Sequence, residues 1–236
     1  MSVGTAAASR PAGIAGISPL LLGTEPKRIH LIGVAGSGMS GIAALLLALG
    51  HRVSGSDKAD TQEVERLRKK GLAFETPHGP SLVADADLVI YSSAIRPGNP
   101  AYDAAVSLGK PMARRAEVLA AIMEGKQGIV VCGMHGKTTT SAMAAHVLRA
   151  GGLKPSHYVG AEIPILGTNA RWDSEGMHLV AEGDESDGTL VHYHPRHAIV
   201  LNIEPEHLDH YADLAAIDAV FLRLLSQTSG NVYYWS

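Results

Sequence analysis

A single cysteine, Cys132, in 236 residues excludes an internal disulfide framework and fits a reducing cytoplasm. No stretch reaches the ~18 continuous apolar residues of a membrane span, so a soluble chain is expected. Charge of one sign is scarce as well. The net charge is −3 and no lysine-arginine block argues for nucleic acid or an acidic membrane surface. The densest basic cluster, Arg66-Leu-Arg-Lys-Lys70, reads as a solvated helix face. A secretory signal is also wanting: Arg10 and Leu20-Leu-Leu22 suggest one, but Pro19 and the glycines break the apolar region and no cleavage site is evident. Residues 1–25 are expected to be a flexible leader.

What is present is a composition ordinary for an α/β protein, 46% apolar with 26 glycines, in a length that suits one large domain or two ordinary ones. The densest chemistry lies in Gly128-Ile-Val-Val-Cys-Gly-Met-His-Gly-Lys-Thr-Thr-Thr140. A strand of buried type runs into a turn where Gly133 and Gly136 let backbone N–H groups converge, and a helix starting near Lys137 aims its positive end at the same point. Polyphosphate fits such a place. Lys137 reaches the terminal phosphates and Thr138 offers its hydroxyl to Mg²⁺. The pattern departs from G-x-x-x-x-G-K-[ST] at Val131, where glycine is usual.

Upstream, from Lys27, strands and helices alternate. Arg28 to Ile32 is an apolar strand, Gly33 to Gly41 a glycine turn containing Gly36-x-Gly38-x-x-Gly41, and Ile42 to Leu49 an apolar helix. His51 to Gly55 is a second strand, followed by Asp57 about 20 residues past the first glycines, where a dinucleotide fold places the carboxylate that holds a ribose. Thr61 to Lys70 reads as a charged helix, Asp87 to Tyr91 as a strand, and Ala101 to Leu108 and Arg115 to Met123 as helices. Right-handed crossovers between such strands make a parallel sheet, with ligands at the strand C-terminal ends. Ser92 and Ser93 end a strand there, and so do Arg114, Arg115 and Glu117 in the following segment; the alternative is that they cap helices, which suits the serines better than Arg114 and Arg115. The expected fold class is therefore α/β: a Rossmann-like parallel-sheet domain over 26–124, then a P-loop α/β domain over 125–236.

Beyond the loop, the strand Met177 to Ala181 ends in Glu182-Gly-Asp-Glu-Ser-Asp187, with four carboxylates in six positions. Hard oxygens at a strand end near a triphosphate suit Mg²⁺, and Glu182, first off the strand, is the favoured ligand over a merely solvated acidic loop. The strand His197 to Leu201 ends in Asn202-Ile-Glu-Pro-Glu-His-Leu-Asp209. There His207 can ligate a metal or bond a phosphate, with Asn202 and Asp209 placed to orient it. Among 12 histidines, His192, His194 and His197 are irregularly spaced and without a cysteine partner, which speaks against a zinc site.

Together with Asn99-Pro100 and Thr168-Asn-Ala-Arg171, these motifs resemble the Mur ligases from about Ile29 to about Leu225. The resemblance implies a first domain holding the UDP of UDP-N-acetylmuramate and a central ATPase domain. It implies ATP contacts at Gly133, Met134, His135, Gly136, Lys137, Thr138 and Thr139, and Mg²⁺ at Thr138, Glu182 and His207, with Lys137, Glu182 and His207 catalytic. UDP-sugar contacts are implied at Gly36, Ser37, Gly38, Met39, Ser40, Asp57, Ser92, Ser93, Arg115, Thr168, Asn169 and Arg171. Ala35, Met134, Gly183 and Glu206 depart mildly from the usual residues. No lysine follows Lys154, so the carbamylated lysine of many relatives has no counterpart, which favours the alanine-adding branch, with L-alanine as second substrate. A ligase recycling the murein tripeptide is the near alternative. A nicotinamide-dependent oxidoreductase built on Gly36, Gly38, Gly41 and Asp57 is the rival from another class, and a non-catalytic UDP-sugar-binding protein a third. Family members have a third domain and this chain stops near Asn231 to Ser236, about where another central strand would begin. It is therefore expected to be a fragment with an incomplete central domain that does not ligate alone.

Overall fold

The computed structural model describes residues 14–208 and 210–235. Residues 1–13 of the expected leader, and Asp209 with its expected orienting role, lie outside them. Two compact units divide the chain, residues 1–115 and 116–236.

The first unit is built on β1 (Arg28–Ile32), β2 (Arg52–Ser56), β3 (Ala73–Glu75), β4 (Leu88–Tyr91) and β5 (Met112–Arg114). All neighbours run parallel, in the order β3-β2-β1-β4-β5. The last four residues of β1 are buried, as a strand covered on both faces must be. The chain leaves β1 toward β2 and later returns to β4 on its other side. That reversal opens a crevice at the C-terminal ends of β1 and β4. Helix α2 (Ser37–Ala48) starts within the glycine turn itself, five residues before the expected Ile42, because Gly36 serves as its N-cap. Helices α3 (Gln62–Arg68) and α4 (Pro100–Ser107) take side-chain caps from Thr61 and Asn99. Val83, Val89, Ala101, Ala105 and Met112 pack with Ile32 into a core beside α4.

The expected leader is corrected over its described part. Ile14–Leu22 forms a helix, α1, with Ile17 and Leu21 buried and the Leu21 carbonyl accepting a hydrogen bond from His51 Nε2 at 2.9 Å. Two apolar residues four apart share one helix face, which outweighs Pro19 inside it.

In the second unit, α5 (Arg115–Met123) precedes β6 (Gln127–Cys132), α6 (Lys137–Ala150), β7 (Ser156–Tyr158), β8 (Ala170–Arg171), β9 (His178–Glu182), β10 (His197–Val200), α7 (Leu214–Gln227) and β11 (Val232–Tyr234). The sheet order is β11-β10-β6-β9-β7-β8, parallel except for the β7–β8 pair. Strand β6 thus lies between β9 and β10, and the segments leaving all three emerge on one edge. Helix α6 covers the sheet through Ala142 and Ala145, packed on Val159, Leu166 and Val180. Helix α7 is capped by Asp213 and buries Ile217, Phe221 and Leu224, a spacing of four and three. No helix among the described residues is long and apolar enough to cross a membrane.

Candidate functional site

In the second unit the loop after β6 is shaped by two glycines with φ of +131° at Gly133 and +82° at Gly136. A Cβ on Gly133 would stand 2.9 Å from the carbonyl oxygen and 3.0 Å from the nitrogen of Asn202, so only glycine fits there. The segment after β10 stitches this loop in place. Leu201 N donates to Cys132 O at 2.9 Å, His135 N to Asn202 Oδ1 at 2.8 Å, and Asn202 Nδ2 to His135 O at 3.2 Å. Asn202, expected to orient His207, braces the phosphate loop instead. Its side-chain amide satisfies both peptide groups of His135, which a loop cannot do for itself.

Lys137 opens α6 and curls back over the loop. Its ammonium donates to Gly133 O at 2.7 Å, Met134 O at 3.0 Å and Glu185 Oε1 at 2.7 Å, one acceptor for each of its three hydrogens. The Glu185 side chain is only 2% exposed and that of Lys137 18%. One carboxylate oxygen, Glu185 Oε2, is buried without a partner. Tyr211 donates its hydroxyl to the Glu185 carbonyl, tying the acidic loop from below. Nothing in the sequence ranks Glu185 above its three acidic neighbours, and sequence reasoning passed it over for Glu182.

Glu182 ends β9 beside β6. Its Oε1 accepts from Thr138 Oγ1 at 3.0 Å and its Oε2 from Gly160 N at 2.7 Å. Two hard oxygens from different elements therefore converge in the first turn of α6, a donor set suited to Mg²⁺. His207 joins a different partner. With a φ of +54° it places Nε2 3.5 Å from Glu185 Oε1, and the described residues hold no group of three or more histidine, cysteine or acidic side chains arranged for a metal. Met134 is buried beneath the loop, while His135 and Thr139 are exposed, His135 Nε2 lying 3.2 Å from Glu206. Cys132 lies under the same loop with its thiol pushed up to about 12, by burial first and then by the Glu185 carboxylate. It acts as a small apolar residue.

In the first unit a cavity of about 410 Å³ opens at the crevice between β1 and β4, lined by Gly33, Ala35, Gly36, Asp57, Lys58, His78, Ser92, Ala94 and Ile95. Asp57 spends its carboxylate on backbone: Oδ2 accepts from Ala35 N at 2.9 Å and Oδ1 from Lys58 N at 2.7 Å. It binds the β1 and β2 turns together. Ser92 Oγ accepts from Ala94 N at 3.2 Å, capping a turn rather than a helix. Ser37 is exposed and Gly38 half-buried at the start of α2, whereas Met39 and Ser40 are buried in its core-facing side. Arg115 starts α5 and Ser93 follows Ser92 outside the cavity lining. Thr168, Asn169 and Arg171 lie in the second unit. There Thr168 Oγ1 donates to Ala170 O at 2.9 Å, Asn169 O accepts from Val159 N at 2.8 Å, and Arg171 pairs with Asp173 at 3.2 Å. Lys58 and His78, which no sequence signal singled out, also line the first-unit cavity.

A five-stranded parallel sheet with a glycine turn at its switch point, followed by a sheet whose phosphate loop carries Lys137 and Thr138, defines a Rossmann-like unit joined to a P-loop α/β unit. Two family profiles match in turn: "Mur ligase family, catalytic domain" over residues 28–127, which takes in α5, and "Mur ligase middle domain" over residues 131–234. The chain belongs to the Mur ligase family. It is 45% identical over 201 residues to UDP-N-acetylmuramate–L-alanine ligase of Sorangium cellulosum, an alignment covering 85% of this chain and 43% of that protein. The chain thus spans less than half the length of this relative. Among solved structures, UDP-N-acetylmuramate:L-alanyl-gamma-D-glutamyl-meso-diaminopimelate ligase from Neisseria meningitides superposes with a TM-score of 0.82 at 29% identity, over 89% of this chain and 71% of that one. UDP-N-acetylmuramate-alanine ligase from Thermotoga maritima gives 0.80 at 29% identity, over 88% and 49%.

Proposed function

We propose that this chain supplies the UDP-sugar and ATP sites of a cytoplasmic, ATP-dependent ligase of peptidoglycan precursor synthesis that joins L-alanine to UDP-N-acetylmuramate. The observation that carries the reading is that Lys137 and Thr138 open α6 directly behind the Gly133 to Gly136 loop, with Thr138 bonded to Glu182 at the end of β9. A lysine cation at the start of a helix and a pair of hard oxygens beside it meet the needs of a nucleotide triphosphate. In this reading ATP phosphorylates the lactyl carboxylate, the amine of L-alanine attacks the acyl phosphate, and phosphate leaves. Phosphoryl transfer of this kind is mostly positioning and charge neutralisation.

Lys137 neutralises the migrating phosphoryl group, exchanging its contact with Glu185 for phosphate oxygen. Thr138 and Glu182 would hold Mg²⁺, which supplies Lewis-acid charge stabilisation at the outer phosphates. His207 stands across Glu185 from Lys137, where it can serve the acyl end of the reaction. The glycine turn and cavity of the first unit take the nucleotide of the UDP-sugar. Curated relatives at 45–48% identity that carry the alanine-ligase name support alanine over a murein tripeptide as the group added.

The test is calorimetric titration of this chain with UDP-N-acetylmuramate, with ATP and Mg²⁺, and with NADH in parallel. Saturable binding of the UDP-sugar and of ATP, with none of NADH, is the expected result. NADH binding without UDP-sugar binding would sink the ligase reading.

A further inference from the structure

Beneath the first-unit cavity runs a chain of hydrogen bonds that the glycine turn does not need. His30, on β1, is fully buried. Its Nδ1 lies 2.9 Å from Ser54 Oγ and its Nε2 3.3 Å from Ser56 Oγ, both on the neighbouring β2. Ser56 Oγ in turn lies 3.0 Å from His78 Nδ1, and His78 lines the cavity. A polar side chain is costly inside a sheet of Ile, Leu and Val unless every group is matched. Here the matches lead outward, from the sheet interior to the pocket.

Chemistry limits the states of this chain. Burial first, and then the charge of His78, hold the His30 imidazole down at about 4, so it is neutral at pH 7 and carries one N–H. Ser56 has one hydroxyl hydrogen to give. If Ser56 donates to His78 Nδ1, His30 Nε2–H donates to Ser56 and His78 presents N–H at Nε2. If Ser56 donates to His30, His78 must donate from Nδ1 and presents a lone pair at Nε2. Either way His78 Nδ1 is taken, the ring plane is fixed, and Nε2 is the nitrogen left for a ligand.

We propose that His78 is a binding residue of this pocket, contacting a neutral polar group of the nucleoside, a ribose hydroxyl or base carbonyl, through Nε2, with His30 and Ser56 as its positioning residues. The phosphates belong elsewhere in the cavity, at the Gly33 to Gly36 turn where α2 begins. Burial lowers the His78 imidazole, and Lys58 adds to this against Asp57 and Glu75, so a neutral contact suits it better than an anion. This inference rests on the UDP-sugar reading of the first unit.

Two measurements on this chain test it. Titration calorimetry with UDP-N-acetylmuramate compares wild type, His78→Ala and Ser56→Ala, each first checked for a cooperative melt. The expected loss of affinity is about 10-fold or more for His78→Ala and about 3-fold or more for Ser56→Ala, the scale of one and of a weakened hydrogen bond. In parallel, the ¹⁵N shifts of the His78 ring report its tautomer. One neutral tautomer is expected in wild type, and a mixture or the opposite one in Ser56→Ala, which a merely structural serine would not produce. Unchanged affinity in His78→Ala overturns the binding role, and an unchanged tautomer in Ser56→Ala overturns the positioning role. If wild type fails to bind the UDP-sugar, the ligase reading and the ligand contact fall together, while the ¹⁵N result still decides whether the relay exists.

Discussion

Lys137→Met should destabilise this chain before it says anything about catalysis. The ammonium has three acceptors, and one belongs to a carboxylate whose side chain is 2% exposed and whose second oxygen is already unpartnered. Methionine keeps the stem and removes the charge, leaving Glu185 buried without its cation. Breaking a buried pair from one side costs about 3–5 kcal/mol. At about 4 °C per kcal/mol for a domain of this size, the melting temperature falls by roughly 10–20 °C. Glu185→Gln is milder, about 1–3 kcal/mol, because Lys137 retains two carbonyl acceptors and is less deeply buried. In the double variant no charge is stranded. Lys137→Met with Glu185→Gln should therefore be more stable than Lys137→Met alone by at least about 1 kcal/mol, a coupling measurable by scanning calorimetry as a double-mutant cycle. A double variant no more stable than Lys137→Met would refute the claim that this contact is a buried, coupled ion pair.

Other outcomes follow from the same geometry. In a ligase carrying these two units as proposed, Lys137→Ala should lower turnover at least about 10²-fold, the scale of one lost electrostatic contact, and near-normal turnover would overturn the role given to it. Stability should fall on acidification between pH 6.5 and about 4. His30 and His157 are each held down at about 4 chiefly by burial, so below 6.5 the unfolded chain takes up a proton that the folded one refuses. Each contributes a loss of up to about 1.4 kcal/mol per pH unit, so a melting temperature flat from pH 7 to pH 5 would contradict the burial of both. Cys132, with its thiol pushed up to about 12 and fully buried, should resist maleimide at pH 8 in native protein and react once urea unfolds it. Rapid native labelling would mean that the loop opens.

The most legible parts of the site were those whose chemistry is contiguous. Gly133, Gly136, Lys137 and Thr138 act within one turn, and the strand before them is recognisable because it is apolar and short. Helix α5 was also read to its residue bounds, since a continuous apolar run between charged ends has few other solutions. Strands β3 and β7 were missed because three residues are too few to show a period. Helix α1 was missed because Pro19 and the glycines outweighed, on paper, a two-residue apolar stripe.

Sequence by itself determined the two glycine loops, the parallel α/β alternation and the family, because each follows from local residue spacing or from motifs read in order. Only the tertiary structure decided which polar side chains serve which purpose. Glu185 meets Lys137 across 48 residues, Asn202 meets His135 across 67, and Ser56 meets His78 across 22. The first two pairs are chosen by strand order: placing β9 and β10 on either side of β6 brings their trailing segments over one loop, and no local pattern encodes that adjacency.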